Sequence, residues 1–353
     1  MPNAATPRLP TLTRLSSAFP PLRFSQREIY DGLLRHWYAE VPNAWELMEN
    51  VRVRHRHYAW DPREELAERS PGTARRMAAY KRAVLAVGGE SLRGTLEGVD
   101  RATIGSFVMA SCTGYTGPTP ELLLARDVGL RADLRRTFIG HMGCYAAFNV
   151  LKTAMDSLAA RPDEPVLVNC SEFSSLHYRP ERTREQAVIH ALFGDACASA
   201  LVSMEGPGVG VQLVRSRTEQ LYATHELMTW DVLDDGFIMT LSPYVPFVIA
   251  EHIGGLLGRL LGPEGLELGD VRHWVVHPGG PKILDVVGDK LRLTGDDLGP
   301  SYRVLEERGN CSSTTVLLVL EEVLRSRSPA RGEYGVMLAF GPGLTMESML
   351  VRF

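Results

Sequence analysis

Short apolar runs of the kind that form buried β-strands alternate along this chain with segments of helical periodicity. Strand-like runs stand at 107–110, 138–139 and 166–168 in the first half, and at 209–214, 274–276 and 334–340 in the second. Strands that alternate with helices predict a sheet covered on both faces. Two such sets in 353 residues therefore predict an α/β fold built as a duplicated core, with halves at 26–205 and 206–353.

The first 25 residues are rich in proline and show little periodicity, so we expect an N-terminal arm at 1–25. Apolar residues at helical spacing predict helices over 26–49, 62–97 and 245–261. A further amphipathic helix is predicted after Cys144, where Phe148, Leu151 and Leu158 share one face.

Charge and hydropathy exclude several classes of partner. The net charge is only −4 and no block of one sign dominates, which argues against a nucleic-acid partner or an anionic membrane surface. No uninterrupted apolar run approaches the roughly 18–20 residues that span a bilayer, and residues 1–10 lack the apolar core of a secretory signal. Five widely spaced cysteines without a C-x-x-C pair predict reduced thiols, a cytoplasmic location and no structural metal site.

Cys144 stands where a predicted strand ends and a helix begins, with Gly140 and Gly143 just before it. A thiol at a helix N-terminus faces the positive end of the helix dipole, which favours the thiolate and makes the sulfur nucleophilic. The alternative is that Cys144 is a small buried apolar residue, as most free cysteines are.

His277 and Asn310 occupy similar junctions in the second half. His277 ends a predicted strand and is followed by Pro-Gly-Gly-Pro, while Asn310 lies at a predicted helix start, where it also suits an N-cap. In open α/β sheets such junctions are where sites assemble. Cysteine with His and Asn serves either as a papain-like hydrolase site, in which His is a base, or as a condensing site, in which His and Asn stabilise an enolate. The papain-type cysteine signature is absent from the sequence, which favours the condensing site.

Six segments, in the same order, resemble the signatures of chalcone synthase-like (type III) polyketide synthases, in particular the bacterial members. They are 142–147 (MGCYAA), 170–172 (CSE), 191–195 (ALFGD), 277–285 (HPGGPKILD), 309–313 (GNCSS) and 340–347 (FGPGLTME). The resemblance extends from about residue 10 to the C-terminus.

This resemblance implies a thiolase-type fold with five αβαβα layers, a homodimer, and no metal or organic redox cofactor. It implies that Cys144 takes up the starter acyl group as a thioester. His277 and Asn310 would bind the carbonyl of the extender thioester, assist its decarboxylation and hold the enolate that attacks the acyl group.

The same resemblance assigns residues to the substrate cavity. Phe193 matches the gatekeeper aromatic of the family, and Met239 replaces a second gatekeeper phenylalanine with a flexible side chain that would admit longer chains. The other expected cavity residues are Cys112, Thr113, Ser174, His177 and Ser312. His177 is either a hydrogen-bond donor in the cavity or a filled core position.

The residues that would bind coenzyme A differ from those of plant members of the family. Where plant members carry basic residues that hold coenzyme A phosphates, this chain has Asn43, Glu46 and Asn50. The remaining candidates for binding coenzyme A or phosphopantetheine are Arg56, Gly279, Gly280 and Lys282. Substrates are therefore expected on either coenzyme A or an acyl carrier protein.

The sequence predicts a condensing acyltransferase that gives an α-pyrone or resorcinol-type product. One alternative is a β-ketoacyl carrier-protein synthase III of fatty-acid initiation, but its histidine motif is H-Q-A-N-like, whereas His277 here begins His-Pro-Gly-Gly-Pro. The other is a non-catalytic homologue that only binds a partner, against which the intact Cys144, His277 and Asn310 argue.

Overall fold

Thirteen strands carry the fold in the computed structural model, which describes residues 8–66 and 70–353. Within that part of the chain the strands are β1 (Leu9–Ala18), β2 (Leu22–Ser25), β3 (His55–Tyr58), β4 (Ser106–Ser111), β5 (Arg135–Gly140), β6 (Val166–Phe173), β7 (Asp195–Glu205), β8 (Val211–Gln220), β9 (Met228–Leu233), β10 (Gly236–Leu241), β11 (Val271–Val276), β12 (Tyr334–Gly341) and β13 (Thr345–Arg352).

The α-helices within the same residues are α1 (Gln26–Ile29), α2 (Arg35–Trp37), α3 (Ala44–Glu49), α4 (Pro62–Glu65), α5 (Thr73–Ala83), α6 (Gly89–Thr95), α7 (Pro120–Asp127), α8 (Ala146–Ala160), α9 (Arg184–Leu192), α10 (Val245–Leu261), α11 (Pro281–Leu291), α12 (Gly299–Arg308) and α13 (Thr315–Arg327). Two π-helical segments, Tyr30–Leu34 and Val84–Gly88, continue α1 into α2 and α5 into α6. Short 3₁₀ turns include Ser174–His177 and Ser312–Thr314, both beside the candidate site.

Nine strands form one sheet in the order β11-β12-β13-β8-β1-β7-β6-β4-β5. Strands β4, β5 and β6 run parallel to one another in the first half, and β11 and β12 run parallel in the second. The two halves join where β1 meets β8 through only two residue pairs, Thr11 with Gln212 and Leu12 with Val211. The sheet is thus two half-sheets with one short seam.

Successive side chains of a strand point to opposite faces of the sheet. In each half-sheet, both sets of side chains are buried by helices. Val168 of β6 and Met337 of β12 belong to an inner core with α8 and α13. Their neighbours Leu167 and Leu338 belong to an outer core, to which the outer helices contribute. Helices α6 and α7 cover the first half and α10 and α11 cover the second. The five αβαβα layers of a thiolase-type fold are confirmed.

Three sequence-based expectations about local structure are wrong. Leu9–Ala18 is not an arm but the central strand β1, because its partners β7 and β8 supply the hydrogen bonds that the isolated segment lacks; residues 1–7 lie outside the described part. The helix expected over 26–49 ends at Trp37 and resumes at Ala44. The helix expected over 62–97 is interrupted after α4, because Leu66 is in a turn and 70–72 are outside any helix; 67–69 are not described.

The strands expected near 107, 138, 166, 274 and 334 and the helix Val245–Leu261 are all present. The expected division at 205/206 falls between the end of β7 and the start of β8 and stays a prediction. One described stretch, Val245–Glu264, is long and apolar enough to cross a membrane by length and composition. Its Ile249, Ile253 and Leu256 side chains are instead buried in the outer core.

Candidate active site

Cys144 lies in the turn that joins β5 to α8, and its side chain is buried. Two residues with positive φ make the turn sharp: His141 has φ 60° and Gly143 has φ 80°. The turn is fixed by the Ala146 N–H, which donates to the Gly143 carbonyl at 3.0 Å, and by the Gly143 N–H, which donates to the Cys112 sulfur at 2.9 Å. The thiol therefore precedes the helix N-terminus, as the sequence predicts.

Asn310 follows α12 and Gly309, and the orientation of its amide is determined by its surroundings. The side-chain oxygen of Asn310 accepts the Ser312 N–H at 2.8 Å, so the amide nitrogen is left to donate elsewhere. The Asn310 amide and the Ser312 hydroxyl lie close enough to Cys144 to lower the pKa of its thiol. The structure thus brings Cys144, Asn310 and Ser312 together from opposite halves of the chain.

Burial has a larger effect on Cys144 than these hydrogen bonds. Desolvation, with a smaller contribution from the charge of Glu172, raises the pKa of the thiol to about 11. Burial therefore outweighs the local donors in the substrate-free protein, because the charged form loses more hydration than those donors return. The expectation that the helix N-terminus activates Cys144 stays a prediction.

Glu172 is a buried carboxylate behind this site. Its oxygens accept hydrogen bonds from the Cys112 N–H at 2.9 Å, from the Thr113 hydroxyl at 2.9 Å and from the Ser313 hydroxyl. Burial nevertheless raises the pKa of Glu172 to about 7. Glu172 therefore links β4, β6 and the turn after Asn310 into one rigid wall.

His277 directly follows β11, and its N–H donates to the Leu338 carbonyl of β12 at 2.8 Å. Strand β12 ends at Gly341, where an added Cβ would lie 3.3 Å from the Cys144 nitrogen. His277 and Cys144 are thus at the same end of the sheet, as the sequence predicts.

The His277 ring is fully buried, and neither ring nitrogen has a hydrogen-bond partner among residues 8–66 and 70–353. Burial lowers the pKa of His277 to about 3, so the ring is neutral at pH 7. A neutral imidazole offers one N–H donor without carrying a charge.

One cavity of about 40 Å³ opens beside Cys144. It is lined by every residue that the sequence assigned to the substrate: Cys112, Thr113, Ser174, His177, Phe193, Met239 and Ser312. The placement agrees with the assignment, while the contact of each residue with substrate stays a prediction.

His177 is a filled wall position rather than a free donor. One ring nitrogen meets the Thr113 carbonyl at 2.8 Å and the other accepts the Phe237 N–H at 3.0 Å, which fixes the tautomer. Its ring stacks on Phe237 with centroids 4.2 Å apart and meets the edge of Trp230. Burial lowers the pKa of His177 to about 3, so the ring stays neutral.

The sequence reasoning missed Trp230 and Phe237, which line the cavity from the hairpin of β9 and β10. The indole N–H of Trp230 donates to the Cys112 carbonyl at 2.7 Å, which locks the hairpin against β4. Aromatic and β-branched residues on either side of Asp234-Asp235-Gly236 are a hairpin signal that could have identified them. Met239 also lies on this hairpin and lines the cavity, and the expectation that it admits longer chains stays a prediction.

The residues expected to bind the carrier separate into two groups. Gly279 and Gly280 follow His277 and Pro278, and Lys282 is exposed at the start of α11. The assignment of Arg56 is wrong, because its side chain is buried and its guanidinium is occupied by internal acceptors. In the described part of the chain, no group of three or more His, Cys, Asp or Glu residues is placed to hold a metal ion.

Comparison with known proteins gives concordant matches over both halves. The family models described as chalcone and stilbene synthases, N-terminal domain and C-terminal domain, match residues 11–206 and 212–353. The chain is 33% identical to the 1,3,6,8-tetrahydroxynaphthalene synthase of Streptomyces peucetius subsp. caesius, over 97% of this chain and 93% of that protein. It is 31% identical to the α-pyrone synthesis polyketide synthase-like Pks18 of Mycobacterium tuberculosis, over 88% and 81%.

The fold has a close counterpart among solved structures. The bacterial type III polyketide synthase 1,3,6,8-tetrahydroxynaphthalene synthase from Streptomyces coelicolor A3(2) superimposes with a TM-score of 0.89 at 29% identity. The superposition covers 97% of this chain and 99% of that one.

Proposed function

Because the chain belongs to the chalcone and stilbene synthases, the type III polyketide synthases, we propose that Cys144, His277 and Asn310 carry out its decarboxylative Claisen condensation. The enzyme is a condensing acyltransferase, and initiation of fatty-acid synthesis is not favoured since its relatives are polyketide synthases. An interaction-only role is not favoured either.

In the first step, the Cys144 sulfur attacks the carbonyl of the starter thioester. A new C–S bond forms, the old C–S bond breaks, and the carrier thiol leaves with the proton that Cys144 loses. The raised pKa of Cys144 means that this proton is still present when the substrate arrives.

In the second step, the carboxylate of a malonyl thioester leaves as CO₂ and its electron pair remains on the α-carbon. The thioester oxygen gains charge as the enolate forms, and hydrogen bonds from His277 and Asn310 stabilise it. The α-carbon then attacks the acyl carbonyl on Cys144, a C–C bond forms, and the sulfur of Cys144 departs.

The observation that carries this proposal is the unpartnered imidazole of His277. A buried polar group without a partner costs about 1–3 kcal/mol, so its presence in a native structure calls for a reason. The His277 ring has that reason if a thioester oxygen is its partner, and the Asn310 amide nitrogen, which points toward Cys144, can donate to the same oxygen. Both donors are neutral at pH 7, so they favour developing negative charge without needing to ionise.

Cavity size supports a short starter. The cavity of about 40 Å³ is far below the roughly 300–1,000 Å³ of pockets for drug-sized ligands, and Trp230, Phe237 and His177 close its far wall. We infer that few condensations follow a short acyl group. The proposed product stays a small α-pyrone or resorcinol-type ring, in line with the α-pyrone synthesis relative.

The carrier, assembly and location complete the proposal. Either coenzyme A or an acyl carrier protein presents the substrate near Gly279, Gly280 and the exposed Lys282, with no other cofactor or metal. The protein works in the cytoplasm as a homodimer, without a nucleic-acid or membrane partner.

Intact-mass spectrometry after incubation with an acyl-CoA tests the nucleophile. Wild-type protein should gain one acyl group, and Cys144→Ala should gain none and make no condensation product. Cys197→Ala is the matched control, because Cys197 is a buried thiol of the outer core that the proposal does not use. Acylation of Cys144→Ala at the wild-type level would show that another residue is the nucleophile.

A series of acyl starters from two to sixteen carbons, each offered on coenzyme A and on carrier protein, tests the proposed starter length and the identity of the carrier. We expect kcat/KM to fall as the chain lengthens beyond a few carbons. A preference for the longest chains would contradict the short-starter proposal, and the ratio between the two carriers would decide which one delivers the substrate.

A further inference from the structure

Arg56 is a buried cation whose direct contacts are all with uncharged acceptors. One of its terminal nitrogens donates to the Tyr178 hydroxyl at 2.7 Å, to the His190 carbonyl at 2.6 Å and to the Phe193 carbonyl at 2.8 Å, and the other contacts the Gln26 side-chain oxygen. No carboxylate of the described residues forms an ion pair with Arg56. Burial raises the pKa of the Asp195 carboxyl and the Arg56 charge partly offsets that rise, but the carboxylate bonds to Ser175 and Ala59 rather than to the guanidinium. Burying a charge without a direct ion pair costs several kcal/mol, so this arrangement calls for a compensating gain.

The acceptors explain how the charge is tolerated. His190 and Phe193 lie at the C-terminal end of α9, where helix carbonyls lack partners within the helix and the helix dipole is negative. The Arg56 guanidinium therefore caps α9 and fixes the point at which the chain leaves the helix toward Phe193.

The aliphatic part of Arg56 passes between two segments of the site. An added Cβ on Gly309, whose φ is 70°, would lie 2.9 Å from Arg56 Cδ, and one on Gly194 would lie 3.3 Å from Arg56 Cβ. Only glycine leaves room for the side chain on both sides. Phe193-Gly194 and Gly309-Asn310 thus enclose Arg56.

These two segments are also bonded to each other. The Gly194 N–H donates to the Asn310 carbonyl at 3.0 Å, and the Asn310 N–H donates to the Leu192 carbonyl at 2.9 Å. These hydrogen bonds fix the position of the Asn310 backbone relative to the end of α9, and Arg56 in turn binds that helix end. A shift of that helix end would carry the Asn310 amide with it.

We infer that Arg56 is a positioning residue for the Asn310 amide, and through it for the decarboxylation of the extender thioester. The inference rests on the role proposed above for Asn310. It differs from a carrier-binding role, because Arg56 never reaches the substrate and acts only through α9 and the Phe193–Asn310 bridge.

Arg56→Lys tests the inference, since lysine keeps the charge but cannot reach four acceptors with one ammonium group. We expect decarboxylation of malonyl-CoA to fall in kcat by about 10- to 100-fold, as for a small misplacement of a catalytic group. Acyl loading of Cys144, followed by intact mass, should stay within about twofold of wild type, and so should KM for malonyl-CoA. Arg23→Met, on the strand paired with β3, is the control and should leave all three unchanged.

A double-mutant cycle with Asn310→Ala provides the decisive comparison. If Arg56 acts through Asn310, Arg56→Lys should have little further effect on decarboxylation once the amide is gone. The same fold-loss in both backgrounds would overturn the inference. A rise in KM at constant kcat would also overturn it, by showing that Arg56 binds the carrier.

Tyr178→Phe is a milder second variant in case Arg56→Lys does not fold. It removes one acceptor of Arg56 and keeps the ring, so it should reproduce the selective loss of decarboxylation at smaller size. Parallel losses of loading and decarboxylation that match the unfolded fraction in both variants would reduce Arg56 to a stability role. If wild-type protein neither loads acyl groups nor decarboxylates malonyl thioesters, whether these are offered on coenzyme A or on an acyl carrier protein, it is the proposed function that fails.

Discussion

The sulfur of Cys112 accepts the backbone N–H of Gly143 at 2.9 Å, one residue before the candidate nucleophile Cys144. Cys112 also carries the carbonyl that receives the Trp230 indole N–H, and its own N–H donates to Glu172. One buried residue thus connects the nucleophile turn, the cavity wall and the buried carboxylate.

Replacing Cys112 by alanine tests the hydrogen bond from the Gly143 N–H to the Cys112 sulfur. The Gly143 N–H is buried, so losing its acceptor should lower the free energy of unfolding by about 1–3 kcal/mol and slow acyl loading of Cys144. Cys112→Ser retains an acceptor and should lose less of both. Urea unfolding and time-resolved intact mass measure the two effects, and equal losses in Ala and Ser would show that the hydrogen bond does not matter.

The reactivity of Cys144 should depend steeply on pH. Because burial raises its pKa to about 11, the thiol form dominates at pH 7 and the thiolate fraction grows about tenfold per pH unit until the pH approaches the pKa. The rate of Cys144 alkylation by iodoacetamide, followed by mass, should therefore rise about tenfold from pH 7 to pH 8. A plateau below pH 8 would mean that a thiolate is already formed in the free enzyme.

Glu172→Gln should shift that profile to lower pH. The negative charge of Glu172 raises the pKa of Cys144, so its removal should increase the thiolate fraction and speed alkylation at pH 8. Glutamine keeps one oxygen for the Cys112 and Thr113 donors. Glu347→Gln is the matched control, a buried carboxylate paired with Lys152 that should leave the profile unchanged. Slower alkylation in Glu172→Gln would contradict the assigned sign.

The aromatic wall should affect both stability and starter choice. Phe237 is 1% exposed, so Phe237→Ala should cost about 3–5 kcal/mol of the free energy of unfolding and raise kcat/KM for longer acyl starters. Phe247→Ala, at a position 62% exposed on α10, should change the free energy of unfolding by no more than about 0.5 kcal/mol. Urea unfolding measures the change in stability, and a series of acyl starters measures the change in starter preference. An unchanged starter preference in Phe237→Ala would show that Phe237 does not limit the length of the acyl chain.

The sequence by itself determined the alternation of strands and helices, the duplicated core, and the positions of Cys144, His277 and Asn310. Those features depend on local patterns: periodicity, the residues that end strands, and motifs a few residues long. For the same reason, the helix Val245–Leu261 was predicted with its observed bounds.

Only the tertiary structure decided which groups are desolvated and which partners they meet. The sequence marks Arg56 as a candidate for binding the carrier, yet three of its four acceptors come from segments more than a hundred residues away. Likewise, β1 is a strand only because it pairs with β7 and β8. The pKa of Cys144 is raised by burial, whose effect is larger than that of the nearby hydrogen-bond donors. Burial and long-range pairing are properties of the folded chain, and no local pattern encodes them.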